Sequence, residues 1–185
     1  MRERLLSATV DSLCELGYAR TTTVEIAKRA GVSRGAQLHH FPTKQALVLE
    51  AVQYLTDIRH LEFRALMKEI PNDENRTSTG LDLAWRDYQS SLAYAWLELL
   101  VAARTDPALR DEVQRLGTIY MVNFEIDLRN VISANGDAAE LAPAAAALVS
   151  AVLIGMACLR IATPTDERSN LTLTAFKMAA KALGI

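Results

Sequence analysis

Between residues 34 and 44 the chain carries a guanidinium, a carboxamide, two imidazoles and an ammonium, on Arg34, Gln37, His39, His40 and Lys44. These groups recognise rather than react. Arg can donate two parallel hydrogen bonds to guanine or to a phosphate, and Gln can pair with adenine. A lysine just inside a helix N-terminus, as at position 44, opposes the helix dipole by roughly a few tenths of a kcal/mol, and a phosphate held there reverses the sign. Adjacent histidines on a helix point about 100° apart, so His39 and His40 do not form a metal-ligand pair. His40 is expected to pack or cap, and His39 to face a partner or water. His60 lies apart on a later helix. Cys14 and Cys158 fit no ligand or redox spacing, and both are expected to be buried thiols in a reducing compartment. The sequence shows no glycine-rich phosphate loop, no paired catalytic carboxylates, no Cys/His dyad and no nucleophile elbow. No catalytic residue, metal or cofactor is therefore expected, and the chain is not expected to be an enzyme.

Those side chains need a frame. Thr22-Thr23-Val24-Glu25 reads as a capping box that opens a helix burying Ile26, Ala27 and Ala30 and ending at Gly31. Ser33 caps a short helix from Arg34 to His40, and Phe41-Pro42 breaks it. Two short helices joined through a glycine turn form a helix-turn-helix. Ala27 is small where the helices must approach, and Ile26, Val32 and Leu38 are expected to plug the core. The outward face then offers Arg34, Gly35, Gln37 and His39. Gly35 and Ala36 are small enough to let the helix N-terminus, with its free N–H groups, approach a phosphate backbone. A preceding helix over residues 3–16 places Leu6, Val10, Leu13 and Cys14 on one face, with Gly17 as its C-terminal cap and Tyr18 folding back.

This segment resembles the DNA-binding domain of the tetracycline-repressor (TetR) family of bacterial regulators. The residues that carry the resemblance are Thr23, Ile26, Ala27, Ala30-Gly31-Val32-Ser33, Gly35, His40-Phe41 and Lys44. Members usually have Tyr where this chain has Leu38, and commonly an apolar residue at Gln37. The tyrosine often touches the DNA backbone, so that contact has no donor here and Gln37 becomes a candidate for a base or phosphate contact. Arg34, Gln37, His39 and Lys44 are the expected DNA contacts, with Thr23, Ser33 and Gly35 against the backbone. The resemblance implies a DNA-binding domain over 1–47, a helical ligand-binding and dimerisation domain over 48–185, a homodimer, and repression relieved by a small molecule. An activator of the same fold, or a helical ligand-binding or scaffolding protein without DNA binding, are the alternatives.

Beyond the motif, helical spacing recurs and no stretch alternates like a strand. Thr43 caps a long helix to about Ile70, and PNDENRTSTG, residues 71–80, reads as a loop. A helix is predicted from Leu81 to Arg104. Asp106-Pro107 opens another, reaching Asn135-Gly136. A helix from Asp137 to Ala162 follows, which Pro143 either opens or kinks, and a last one runs from Thr165-Asp166 to Leu183-Gly184. The fold class is all-α: a three-helix helix-turn-helix domain followed by a helical domain. Trp85, Tyr88, Leu92, Trp96 and Leu99 share one side of the predicted helix. With Tyr120, Phe124 and Met156 the aromatic ones are candidates to line a pocket for an apolar or aromatic ligand, ordinary core being the alternative for each. Glu98 and Arg160 are lone charges in apolar runs and need partners. Ala147, Ala151 and Gly155 recur every four residues beside Leu148, Val152 and Leu159. Leu171, Ala175, Met178 and Ala182 form a second stripe. Pairing both stripes with their copies across a two-fold axis gives a four-helix dimer interface; packing within one subunit is the alternative.

The charge distribution agrees with a nucleic-acid partner. Residues 1–47 hold seven Lys/Arg against four Asp/Glu, while residues 48–185 hold thirteen against eighteen, for a net charge of −2 overall. Residues 142–159 are uncharged over nearly a membrane-spanning length. Their alanine content and unbiased flanks favour a buried helix, and a cytoplasmic protein without a membrane anchor is expected.

Overall fold

Four side-chain caps set the helix starts that frame the motif. Thr22 Oγ1 accepts the Glu25 N–H at 3.2 Å, Ser33 Oγ the Ala36 N–H at 3.1 Å, Thr43 Oγ1 the Ala46 N–H at 3.0 Å, and Asp106 Oδ1 the Leu109 N–H at 3.1 Å. Each satisfies a donor that the first helical turn leaves unpaired. The computed structural model describes residues 1–71, 75–131, 140–163 and 165–182. Among them are nine helices and no strand: α1 Arg2–Arg20, α2 Thr23–Ala30, α3 Arg34–His40, α4 Lys44–Glu69, α5 Arg76–Tyr88, α6 Ser91–Ala103, α7 Pro107–Val131, α8 Ala142–Ala162 and α9 Asp166–Ala182. Pro143 lies in the first turn of α8, so it opens the helix rather than kinking it. The helix ends expected at Asn135-Gly136 and Leu183-Gly184, and the start at Asp137, lie outside the described residues.

Two expectations about the middle of the chain are corrected. The helix predicted from Leu81 to Arg104 is two helices, α5 and α6, with a new start at Ser90, whose Oγ accepts the Ala93 N–H at 3.4 Å. The loop predicted over 71–80 is already helical from Arg76.

The chain divides into two units: Met1–His60 with Ser90–Ile119, and Leu61–Gln89 with Tyr120–Ile185. In the first, α1, α2, α3, α6 and the adjoining parts of α4 and α7 share a core built on Leu5, Leu6, Leu13, Ile26, Leu47, Leu99 and Leu109. Two buried hydroxyls on α1 are satisfied within the helix, Thr9 by the Leu5 carbonyl at 2.6 Å and Ser12 by the Ala8 carbonyl at 2.7 Å. In the second, Trp85, Tyr88, Phe124, Val149, Leu153 and Met156 form the centre of the core.

Both lone charges have partners. Glu98 Oε2 accepts the Tyr18 N–H at 2.8 Å within the first unit. Arg160, in the second, donates to Gln89 Oε1 at 2.7 Å and pairs with Asp166 at 3.0 Å. The cysteines depart from expectation. Cys14 is half-buried and donates to the Ser91 carbonyl at 2.8 Å; burial, then the Asp11 charge, push its thiol up to about 11. Cys158 is exposed, because it shares the outward side of α8 with Gly155 and Leu159. α8 is long and apolar enough to cross a membrane, but Ala145, Ala146, Val149, Leu153, Met156 and Ala157 bury one side of it in the second core.

Candidate nucleic-acid interface

The turn between α2 and α3 is built by one glycine. Gly31 adopts φ 63°, ψ 40°, the left-handed conformation that a side chain disfavours. This lets its own N–H reach the Lys28 carbonyl at 3.1 Å and the Val32 N–H reach the Ala27 carbonyl at 3.0 Å, closing a Schellman motif. Val32 packs on the core as expected, and Ile26 and Ala27 are buried beneath. Arg29 holds the pair of helices to α1 through a two-pronged bond to Glu15, at 2.7 and 2.8 Å. The pair is solvent-exposed, so its use is orientation more than stability.

The face that α3 presents is not quite the expected one. Ser33, Arg34, Gly35 and His39 are exposed, as expected for a reading surface. Among the described residues no carboxylate pairs with Arg34. A Cβ added at Gly35 would find only Ser33 Oγ, at 4.0 Å, so the surface there is open to a close partner. Thr23 is half-buried at the start of α2, and Ser33 uses its hydroxyl to cap α3. His40 is exposed, its ring edge-on to His39 with centroids 5.6 Å apart and 6.3 Å from that of Phe41.

Gln37 and Leu38 exchange the roles expected of them. Gln37 is 0 % exposed and Leu38 is 44 % exposed. The reason lies four residues on. Pro42 ends α3, leaving the Phe41 carbonyl without a helical donor, and Gln37 Nε2 supplies one at 2.7 Å. The Phe41 N–H in turn donates to the Gln37 carbonyl at 2.8 Å. Once the amide turns inward, the next side chain, about 100° around the helix, must turn outward. Gln37 is thus a buried cap and not a base reader in this structure. Gln37→Ala should cost about 2 kcal/mol, from the stranded carbonyl and the space left behind. Chemical denaturation checks this, and motifs selected from random DNA should be unchanged. A stable variant with altered base preference would put Gln37 back on the reading surface.

Lys44 is half-buried. Its ammonium donates to the Tyr18 carbonyl at 2.5 Å and lies 4.0 Å from the centroid of the Tyr18 ring, and burial lowers its pKa. It therefore joins the start of α4 to the end of α1. Sequence reasoning singled out Tyr18 as folding back and Glu98 as a charge needing a partner, but not that they pair or that Lys44 joins them, since the partners are 80 and 26 positions apart.

In the second unit the structure brings together Trp85, Tyr88, Tyr120, Phe124 and Met156. Trp96 belongs to the first unit's core instead, its ring 3.7 Å from a Cβ position at Gly117, because α5 and α6 are separate helices. The Tyr88 and Tyr120 hydroxyls are 2.7 Å apart, and Tyr88 donates to Ser150 Oγ at 3.4 Å. Burial raises the pKa of both phenols, so they stay protonated. A cavity of about 20 Å³ lies beside Phe63, Leu81, Ala84, Phe124 and Val149, room for about one water molecule.

The expected dimer residues are outward-facing. Ala147, Ala151, Gly155, Leu171, Ala175, Met178 and Ala182 are all exposed, Leu171 at 66 % and Met178 at 70 %.

Comparison with known proteins agrees with this geometry. Residues 5–51 match the family described as bacterial regulatory proteins, tetR family. An uncharacterized HTH-type transcriptional regulator of Mycobacterium tuberculosis is 36 % identical over 166 residues, covering 89 % of this chain and 84 % of that protein. A transcriptional regulator from Rhodococcus sp. Rha1 has the same fold, with a TM-score of 0.76 at 26 % identity over 98 % of this chain and 97 % of the other. A Saccharomonospora viridis regulator structure in complex with choline superposes with a TM-score of 0.73 at 18 % identity, covering 97 % and 95 % of the two chains. The chain is therefore a DNA-binding transcriptional regulator, and it belongs to the TetR family.

Proposed function

We propose that this regulator is a cytoplasmic homodimeric repressor, released from its operator by a small apolar or aromatic molecule held in the second unit. Arg34, Ser33, Gly35, His39 and Thr23 make its DNA contacts, and Lys44 adds positive charge behind them while holding Tyr18. The observation that carries the release step is the second core itself. Tyr88, Tyr120 and Ser150 place hydroxyls among Trp85, Phe124 and Met156, yet the nearby cavity holds about 20 Å³. A ligand must spread these helices to enter. It then favours a state that differs from the closed one, and only such unequal affinity can shift DNA binding. The choline-bound fold neighbour supports a ligand of small size.

For the dimer, the support is the pair of unpartnered apolar stripes. Adding a Cβ at Gly155 meets nothing within 4 Å, so the stripe is open to a close neighbour. A second copy covers both stripes, and two recognition helices then read inverted half-sites about one helical turn apart.

Gel shift against promoter fragments, repeated with a panel of monocyclic aromatic hydrocarbons and phenols, tests the proposal. Active compounds are expected to release DNA, raise the melting temperature and change the Trp85 fluorescence. Compounds that bind the second unit without affecting DNA would remove the release step. Binding should also weaken with salt by a log–log slope of about −0.9 per neutralised phosphate. Arg34→Ala should flatten that slope by about two per dimer if Arg34 meets a phosphate. An unchanged slope takes it off the list of phosphate contacts.

A further inference from the structure

From Glu25 to His60, Leu38 is the one large apolar side chain left exposed. Ile26, Phe41, Leu47 and Val48 around it in sequence are fully or almost fully buried. Leu38 lies four residues after Arg34 and three after Gly35, which places all three on one face of α3. Gly35 adds no side chain to that face, and Gln37, the amide that sequence reasoning assigns to it, is inside. The middle of the reading surface is therefore apolar, flanked by the guanidinium of Arg34 and the imidazole of His39.

We propose that Leu38 is a specificity-determining residue that reads the 5-methyl group of a thymine in each half-site. The assignment rests on α3 being the recognition helix, whose exposed face enters the major groove. A leucine side chain neither donates nor accepts. Of the four bases, only thymine shows an apolar group in that groove; guanine, adenine and cytosine show acceptors or an amino group. Set against one of those polar edges, Leu38 displaces water and returns no hydrogen bond, which is penalised. Set against the methyl group, it buries apolar surface on both sides. Preference thus comes from attraction to thymine and from rejection of the other three.

The test begins with the wild-type protein and a motif selected from random DNA. Each thymine of the motif is then replaced in turn by uracil, which keeps every hydrogen-bonding group and removes only the methyl. One position per half-site is expected to lose about fourfold in affinity, or about fifteenfold when both half-sites are replaced, the equivalent of one buried methyl group each. Leu38→Ala should bind the thymine and uracil sites equally well and select a motif relaxed at that position alone. Leu38 is exposed, and the melting temperature of the variant should match the wild type. A clear motif indifferent to every thymine methyl overturns the Leu38 assignment while leaving DNA reading intact. A wild-type protein that selects no motif overturns sequence reading itself, and Leu38 with it.

Discussion

Ala151→Glu is expected to give a folded monomer that has lost about a hundredfold or more in operator affinity. Ala151 is exposed on α8, between Ala147 and Gly155 at four-residue spacing. At an isologous interface one substitution acts twice, because the same patch faces itself across the axis. Two carboxylates would then be pressed together at a site built for small side chains, which adds repulsion, desolvation and overpacking at once. The monomer keeps its reading head but loses the second half-site, and linked binding is typically worth about 10²–10⁴ in affinity. Light scattering reads the mass, and gel shift reads the affinity. Ala145→Glu provides the contrast. Ala145 is buried within the second core, so a charge there should unfold the unit rather than split a dimer. If Ala151→Glu stays folded and dimeric, α8 does not form the interface through this stripe.

What could be read in the sequence is what is decided locally. Thr22, Ser33, Thr43 and Asp106 each cap a helix through a bond to a backbone N–H three residues on, so the residue types and spacing suffice. Gly31 was legible for the same reason, since the turn needs a left-handed residue and glycine provides it. The buried side of α2, on Ile26, Ala27 and Ala30, follows from helical period alone. What escaped is decided by competition over longer range. Polarity favours Gln37 outside and Leu38 inside. The carbonyl stranded by Pro42 outweighs this, because α3 runs only from Arg34 to His40 and offers no other donor. Between Leu81 and Arg104 the apolar spacing continues across the break at Gln89 and Ser90, so periodicity hides it. Trp85 and Trp96 consequently belong to different cores although they fall on one face of a helical wheel.

The corner held by Tyr18 carries a large expected effect on stability. Gly17 sits at φ 74°, ψ 166°, a region that is open in practice only to glycine. It turns the end of α1 so that the Tyr18 N–H meets Glu98 at 2.8 Å, while the Tyr18 carbonyl meets the Lys44 ammonium at 2.5 Å. A Cβ at position 17 would lie 2.8 Å from Glu98 Oε2, the oxygen that accepts the Tyr18 N–H. Gly17→Ala therefore imposes backbone strain and also displaces the carboxylate. The first costs roughly 1–3 kcal/mol. The second removes a hydrogen bond to a charged group, worth about 1 kcal/mol at this exposed site. The sum, about 3 kcal/mol, corresponds to a fall of about 10 °C in melting temperature for a chain of this size. Glu98→Ala should cost only the smaller part. In the Glu98→Ala background, Gly17→Ala meets no carboxylate, so the two changes should add to less than their separate sum, by about the worth of the lost bond. Strict additivity would mean that the flexible carboxylate swings aside freely and that strain alone defends Gly17. A Gly17→Ala protein as stable as the wild type would mean that the end of α1 relaxes to another turn. In that case Lys44 has no fixed carbonyl to hold and is left free for phosphate.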